Sequence, residues 1–150
     1  MIKSLFFFLI ISLSYNTALS RNIGETEITT EDGIEVFQEE KYYLLKKNVE
    51  ILSDEFELKG QTVKIFFEKD LYDIKELFAY DDVKFTSDIY KISGKGDKLQ
   101  FNIKNQKIII NGNKSELYLE NTEMLSDGKI FVDNLEGTFF IEGPNSKLIS

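Results

Sequence analysis

Four stretches of this chain open with the same word, an apolar residue, a spacer and a second apolar residue: Ile34-Glu35-Val36, Val63-Lys64-Ile65, Leu99-Gln100-Phe101 and Ile130-Phe131-Val132. The openings lie 29, 36 and 31 residues apart. After each comes a polar turn, a second strand-like run, an Asn- or Gly-type turn and a third run. A recurrence over tens of residues constrains the fold more than any composition does. One such unit cannot bury its own apolar face, so units stack and bury one another. The last, ending in Phe139-Phe140-Ile141-Glu142-Gly143-Pro144, is shortened, as terminal repeats are.

Within the units apolar residues fall at i and i+2, as in Phe56-Glu57-Leu58, Val83-Lys84-Phe85 and Glu116-Leu117-Tyr118-Leu119. That is the period of a sheet with one buried face. Val, Ile, Phe, Tyr and Thr dominate the runs and suit a pleated surface. The inward face then reads Ile34, Val36, Val49, Ile51, Phe56, Leu58, Val63, Ile65, Leu77, Val83, Phe85, Ile92, Leu99, Phe101, Ile108, Ile110, Leu117, Leu119, Ile130, Val132, Phe139 and Ile141, with charge outside. Turns are placed at Lys47-Asn48, Gly60-Gln61, Asp81-Asp82, Asn105-Gln106, Asn111-Gly112-Asn113, Asp127-Gly128 and Gly143-Pro144. Asn and Gly tolerate positive φ, and Asn-Gly and Asp-Gly are hairpin signals. Short strands at this spacing predict an all-β fold: a sandwich, a jelly roll or a barrel.

Residues 68–80 have apolar positions at 71, 74, 77 and 78, which also fits a short amphipathic helix. The repeat decides for a hairpin loop near Lys69-Asp70 and a strand through Lys75–Tyr80. Residues 21–32 read as a polar lead-in that adds one edge strand. The outermost strands are expected around Ile34–Gln38 and Thr138–Glu142, either blunted (Lys41, Lys46 and Lys47 lie near the first) or used for strand addition.

Residues 1–20 have the form of a secretory signal: Lys3, an apolar run from Leu5 to Leu13, and small residues at Ala18 and Ser20. The run is far short of the ~20 residues that span a bilayer. Cleavage after Ser20 leaves residues 21–150 as one exported domain; retention would make the segment an anchor. There is no Cys, so sheet pairing and the core hold the fold without disulfides. There is no His, so no Ser-His or Cys-His dyad forms. A net charge of −8, with no basic-aromatic cluster, argues against nucleic acid. The acidic pairs Glu39-Glu40, Asp54-Glu55 and Asp81-Asp82 sit at turns or on solvent faces and read as surface charge, not as glycosidase carboxylates. Gly94-Lys95-Gly96 precedes no helix and is not a phosphate loop. Asp81-Asp82 and Asp127-Gly128 make no full Ca²⁺ ligand set. The sequence offers no catalytic residue, and neither a metal nor a cofactor is expected.

The words Ile34-Glu35-Val36, Asn48-Val49-Glu50-Ile51, Leu58-Lys59-Gly60, Ile92-Ser93-Gly94 and Asp97-Lys98-Leu99-Gln100-Phe101 resemble, in order and spacing, those of the OstA-like family of periplasmic lipopolysaccharide-transport proteins. The resemblance covers about residues 30–143. It implies a twisted, partly open β-jelly roll whose inward residues, named above, bind the lipid A acyl chains of lipopolysaccharide. It also implies head-to-tail self-association through edge strands. The end partners would be an LptC-type inner-membrane subunit and an LptD-type outer-membrane translocon. An anchored LptC-type subunit of the same fold, and a structural β-repeat module with a dry core, are the alternatives.

Overall fold

A computed structural model describes residues 21–69 and 73–150. The leader read over residues 1–20 lies outside the described residues, as does Asp70 in the expected hairpin loop. The strands are β1 (Glu27–Thr29), β2 (Ile34–Phe37), β3 (Tyr42–Leu52), β4 (Glu57–Phe67), β5 (Ile74–Ser87), β6 (Ile92–Asn102), β7 (Lys107–Asn111), β8 (Ser115–Leu119), β9 (Thr122–Ser126), β10 (Lys129–Asp133), β11 (Thr138–Glu142) and β12 (Lys147–Ile149). All pair antiparallel in one unclosed sheet.

Three of the expected turns do not end strands; they bend them. Lys47 and Asn48 (φ 66° and 46°) lie inside β3, and Asp81 and Asp82 (φ 64° and 49°) lie inside β5. Gly60-Gln61 lies inside β4. At each the ladder breaks and resumes a few residues on, between Lys46 and Val49, between Lys59 and Thr62, and between Tyr80 and Val83. A pair of left-handed residues inserted in a strand acts as a bulge: it redirects the strand while pairing with the same neighbour continues. Further along, the chain makes the same corner with short loops, between β7 and β8, between β10 and β9, and between β11 and β12.

The corners line up as a crease that divides the sheet into two leaves. The first leaf runs β2, the first half of β3, the second half of β4, the first half of β5, the second half of β6, β7, β10, β11. The second runs β1, the second half of β3, the first half of β4, the second half of β5, the first half of β6, β8, β9, β12. The recurrence in the sequence now has a structural meaning. Ile34, Val63, Leu99 and Ile130 all open alternate strands of the first leaf, and each repeat adds two strands to each leaf. Residues 74–80 are strand, with Leu77 and Ala79 buried and their neighbours turned outward. The lead-in supplies β1.

Candidate functional site

The leaves face each other across the apolar interior. Its middle is filled by side chains. Phe56 and Phe85 of the second leaf pack on Phe101 of the first, ring centroids 5.6 and 4.9 Å apart. Beside them Ile110 of the first leaf enters a space that two glycines of the second keep free. A Cβ on Gly94 would lie 2.5 Å from Ile110 Cδ1, and one on Gly96 2.4 Å from Ile110 Cγ2. Of the predicted inward residues, Val49, Ile51, Phe56, Leu58, Val63, Ile65, Leu77, Val83, Phe85, Ile92, Leu99, Phe101, Ile108, Ile110, Leu117, Ile130 and Val132 are buried in this core. Leu119 and Ile141 are half-buried against it.

Ile34, Val36 and Phe139 point inward but are not covered. Their cross-strand partners Leu45, Tyr43 and Val132 are core residues, which fixes the face. Yet Ile34 is 50% exposed, Val36 45% and Phe139 41%. All three lie on β2 and β11, the two edge strands of the first leaf. Leu148 on β12 faces Met124 of the core and is also exposed. The interior is therefore an apolar core, packed in the middle and uncovered where it reaches the edge strands at either end. At the β1–β2 end a cavity of about 510 Å³ is lined by Ile28, Ile34, Tyr43 and Ile74, with Gly24–Thr26 across it.

That crossing segment is tied down by charge. Arg21 pairs with Asp54 at 2.5 Å, and Asp54 accepts the Gly24 amide at 2.7 Å. The Arg21 hydrogen bond, then the Gly24 amide, hold the Asp54 carboxyl below its ordinary range.

The free margins of the leaves, opposite the crease, are tied differently. Lys104 pairs with Glu68 and, at 3.7 Å, with Asp73, and Asn134 bonds Gln106, all within the first leaf. Ser87 donates to the Glu55 carbonyl, Tyr90 reaches Glu55 and Lys91 pairs with Glu120, all within the second. What crosses between the margins is apolar packing: Phe56, Phe85 and Tyr90 on Phe101, with Ile74, Ile103 and Leu119 packed against the same core. Burial, then the Glu55 carboxylate, raises the Tyr90 hydroxyl's pKa, which keeps it neutral and bonded. Among the described residues no cluster of three or more His, Cys, Asp or Glu is placed to hold a metal ion.

Sequence reasoning missed several lining residues. Tyr43 and Leu45 are buried, but the run Tyr42-Tyr43-Leu44-Leu45 is apolar in both phases, so alternation could not choose. Phe67 and Phe66 pose the same problem, while Ala79 and Met124 carry too weak a signal alone. The expectation of charge outside holds for the second leaf, but on the first leaf charge is mixed with aromatic rings. On the outer face of the first, Phe37, Tyr42, Phe66 and Phe78 form a ring ladder with centroids 4.5, 5.4 and 5.6 Å apart in turn. Phe131 and Phe140 stack at 4.7 Å near the other edge. These aromatics satisfy the strand pattern in the phase that points away from the core.

A family described as "LptA/(LptD N-terminal domain) LPS transport protein" matches residues 29–138. No curated protein matches. Among solved structures the chain is similar to LptH of Pseudomonas aeruginosa, the LptA-homologous periplasmic component of a lipopolysaccharide transport device. Identity is 10%, covering 84% of this chain and 94% of that one, with a TM-score of 0.68, so the likeness is one of fold.

Proposed function

The chain belongs to the LptA/LptD N-terminal family of lipopolysaccharide-transport proteins, and from that membership we propose that it shields lipopolysaccharide acyl chains between its two leaves as they cross the periplasm. The observation that carries the reading is the apolar interior left open at both ends, by Ile34 and Val36 at one and Phe139 and Leu148 at the other. A twelve-carbon chain in water costs roughly 10 kcal/mol at about 0.8 kcal/mol per CH₂. An apolar channel removes that cost along its length without a deep minimum, so lipid can slide.

The filled middle fits this reading because of how the leaves are joined. The crease is covalent and hydrogen-bonded; the ties just described that join the margins are apolar side-chain contacts. Parting the margins exchanges ring–ring contact for ring–acyl contact at little net cost, since both are apolar. Leaf opening is the step that admits lipid.

The edges support continuation of the channel from one molecule to the next. Each leaf holds eight strand levels, so its two edge strands run antiparallel. A second copy displaced along the stack therefore meets β11 with β2, and β12 with β1, in antiparallel register. The same edges would receive the LptC-type and LptD-type partners. In this reading residues 1–20 are removed after Ser20, and N-terminal sequencing of the exported protein should begin at Arg21.

A second reading, a structural repeat with a dry core, draws on the complete burial of Phe101. Photo-crosslinking separates the two. Benzoylphenylalanine at Ile34, Phe101 or Phe139 should yield lipopolysaccharide adducts in cells, while Glu57, outward on the second leaf, should not. Silence at all three inward positions supports the dry core.

A further inference from the structure

Three lysines stand side by side on the outer face of the second leaf. Lys59 is directly opposite Lys84, and Lys84 directly opposite Lys95, on three neighbouring strands. Like charges in directly opposed positions destabilise a sheet. Here they occur on a chain of net charge −8, where carboxylates are plentiful. Lys95 has one of them, Glu116, at 3.9 Å. Lys59 and Lys84 have no ion pair among the described residues.

The row borders a groove of about 600 Å³ against the crease, with Lys114 on its far side. Gly60 and Gly96 line it with bare backbone, and Asn48 and Gln61 stand at the corner. Three carboxylates also face it. Asp97 is engaged by the Asn113 amide at 3.2 Å, Glu50 stands directly opposite Lys59 on β3 at the end of the row without closing an ion pair, and Asp82 lies at the crease. An anion with several oxygens would bridge the ammonium groups and turn their mutual repulsion into attraction. Charge-assisted bonds to an ionised acceptor are the strong kind.

We propose that the Lys59–Lys84–Lys95 row, closed by Lys114, is a binding site for phosphate groups of a phosphorylated ligand, on the outside of the sheet and separate from the apolar interior. Phosphate fits better than a carboxylate strand because the ammonium groups lie along one rung, across the strands. A single compact polyanion reaches two or three of them at once.

The test is calorimetric titration of the mature chain with inorganic pyrophosphate at low ionic strength, where exposed charges are least screened. Saturable binding is expected. Lys59→Gln/Lys84→Gln should weaken it at least about tenfold, the scale of a single charge-assisted bond. Lys98→Gln, a lone exposed lysine on the other leaf, should change it by less than about twofold. The double variant should melt no lower than the parent, because it relieves like-charge contact. Sedimentation with phosphatidylcholine vesicles, with and without phosphatidic acid, tells the source of the phosphate. Lysine-dependent capture by the phosphatidic acid vesicles assigns the site to a lipid headgroup; pyrophosphate binding without capture assigns it to a soluble phosphorylated molecule. No saturable pyrophosphate binding, or an equal loss in Lys98→Gln, overturns the proposal.

Discussion

The middle of the interior and its two ends are built from the same alternating residues but do opposite things. In the middle, Phe56, Phe85 and Phe101 meet and two glycines let Ile110 close the remaining gap. At the ends, the same inward phase places Ile34, Val36, Phe139 and Leu148 in solvent. The difference is one of neighbours. A central strand has partners on both sides and a facing leaf; an edge strand lacks one side, so its inward residues stay partly in solvent. Stability should therefore concentrate in the middle, and ligand and partner contact at the ends.

Truncation in the middle tests this most severely. Phe101→Ala should cost about 3–5 kcal/mol in denaturant unfolding, as buried aromatic deletions do. Gly96→Ala should cost about 1–3 kcal/mol through its contact with Ile110. Combined with Ile110→Ala it should cost clearly less than the sum of the two, since one change relieves the other. Additive losses would show that the glycine does not exist for Ile110. At the ends, Ile34→Ala or Phe139→Ala should cost less than about 1 kcal/mol, half-exposed side chains having little burial to lose. Those two should instead lower lipopolysaccharide crosslinking. A loss of stability equal to that of Phe101→Ala would erase the distinction.

The smallest effect concerns the segment across the β1–β2 cavity. Asp54 is held ionised by Arg21 and the Gly24 amide, so its folded pKa lies below the unfolded value. Its contribution is present above the ordinary carboxylate value of 3.8 and is lost as pH falls through the folded pKa. Hydrogen exchange at the Gly24 amide should accelerate in that acid range, and Asp54→Asn should show fast exchange at neutral pH. Unchanged protection in the variant would separate the segment from its anchor.

Much of the fold was legible in the chain because its two signals are strong and local. Alternation identified most of the strands, though not β12 beyond the expected last strand, and 17 of the 22 apolar residues buried among the described ones. The repeat decided strand over helix at residues 74–80, where a helical period competes. What escaped is non-local. Lys47-Asn48 and Asp81-Asp82 look like hairpin turns, and only pairing with neighbours on both sides shows that they crease continuous strands. Two-phase apolar runs such as Tyr42–Leu45 hid both a buried pair and the outer aromatic ladder. The lysine row escaped because its members are far apart in sequence and meet only through register.

In the proposed mechanism the leaves part at their free margins, hinged on the crease, to take lipid. The chain contains no cysteine, so Asp88→Cys on the margin of the second leaf and Asn105→Cys on that of the first accept spin labels uniquely. Pulsed electron paramagnetic resonance should give one short distance in the free protein and a longer one when lipopolysaccharide is added. An unchanged distance with lipopolysaccharide demonstrably bound would contradict leaf opening.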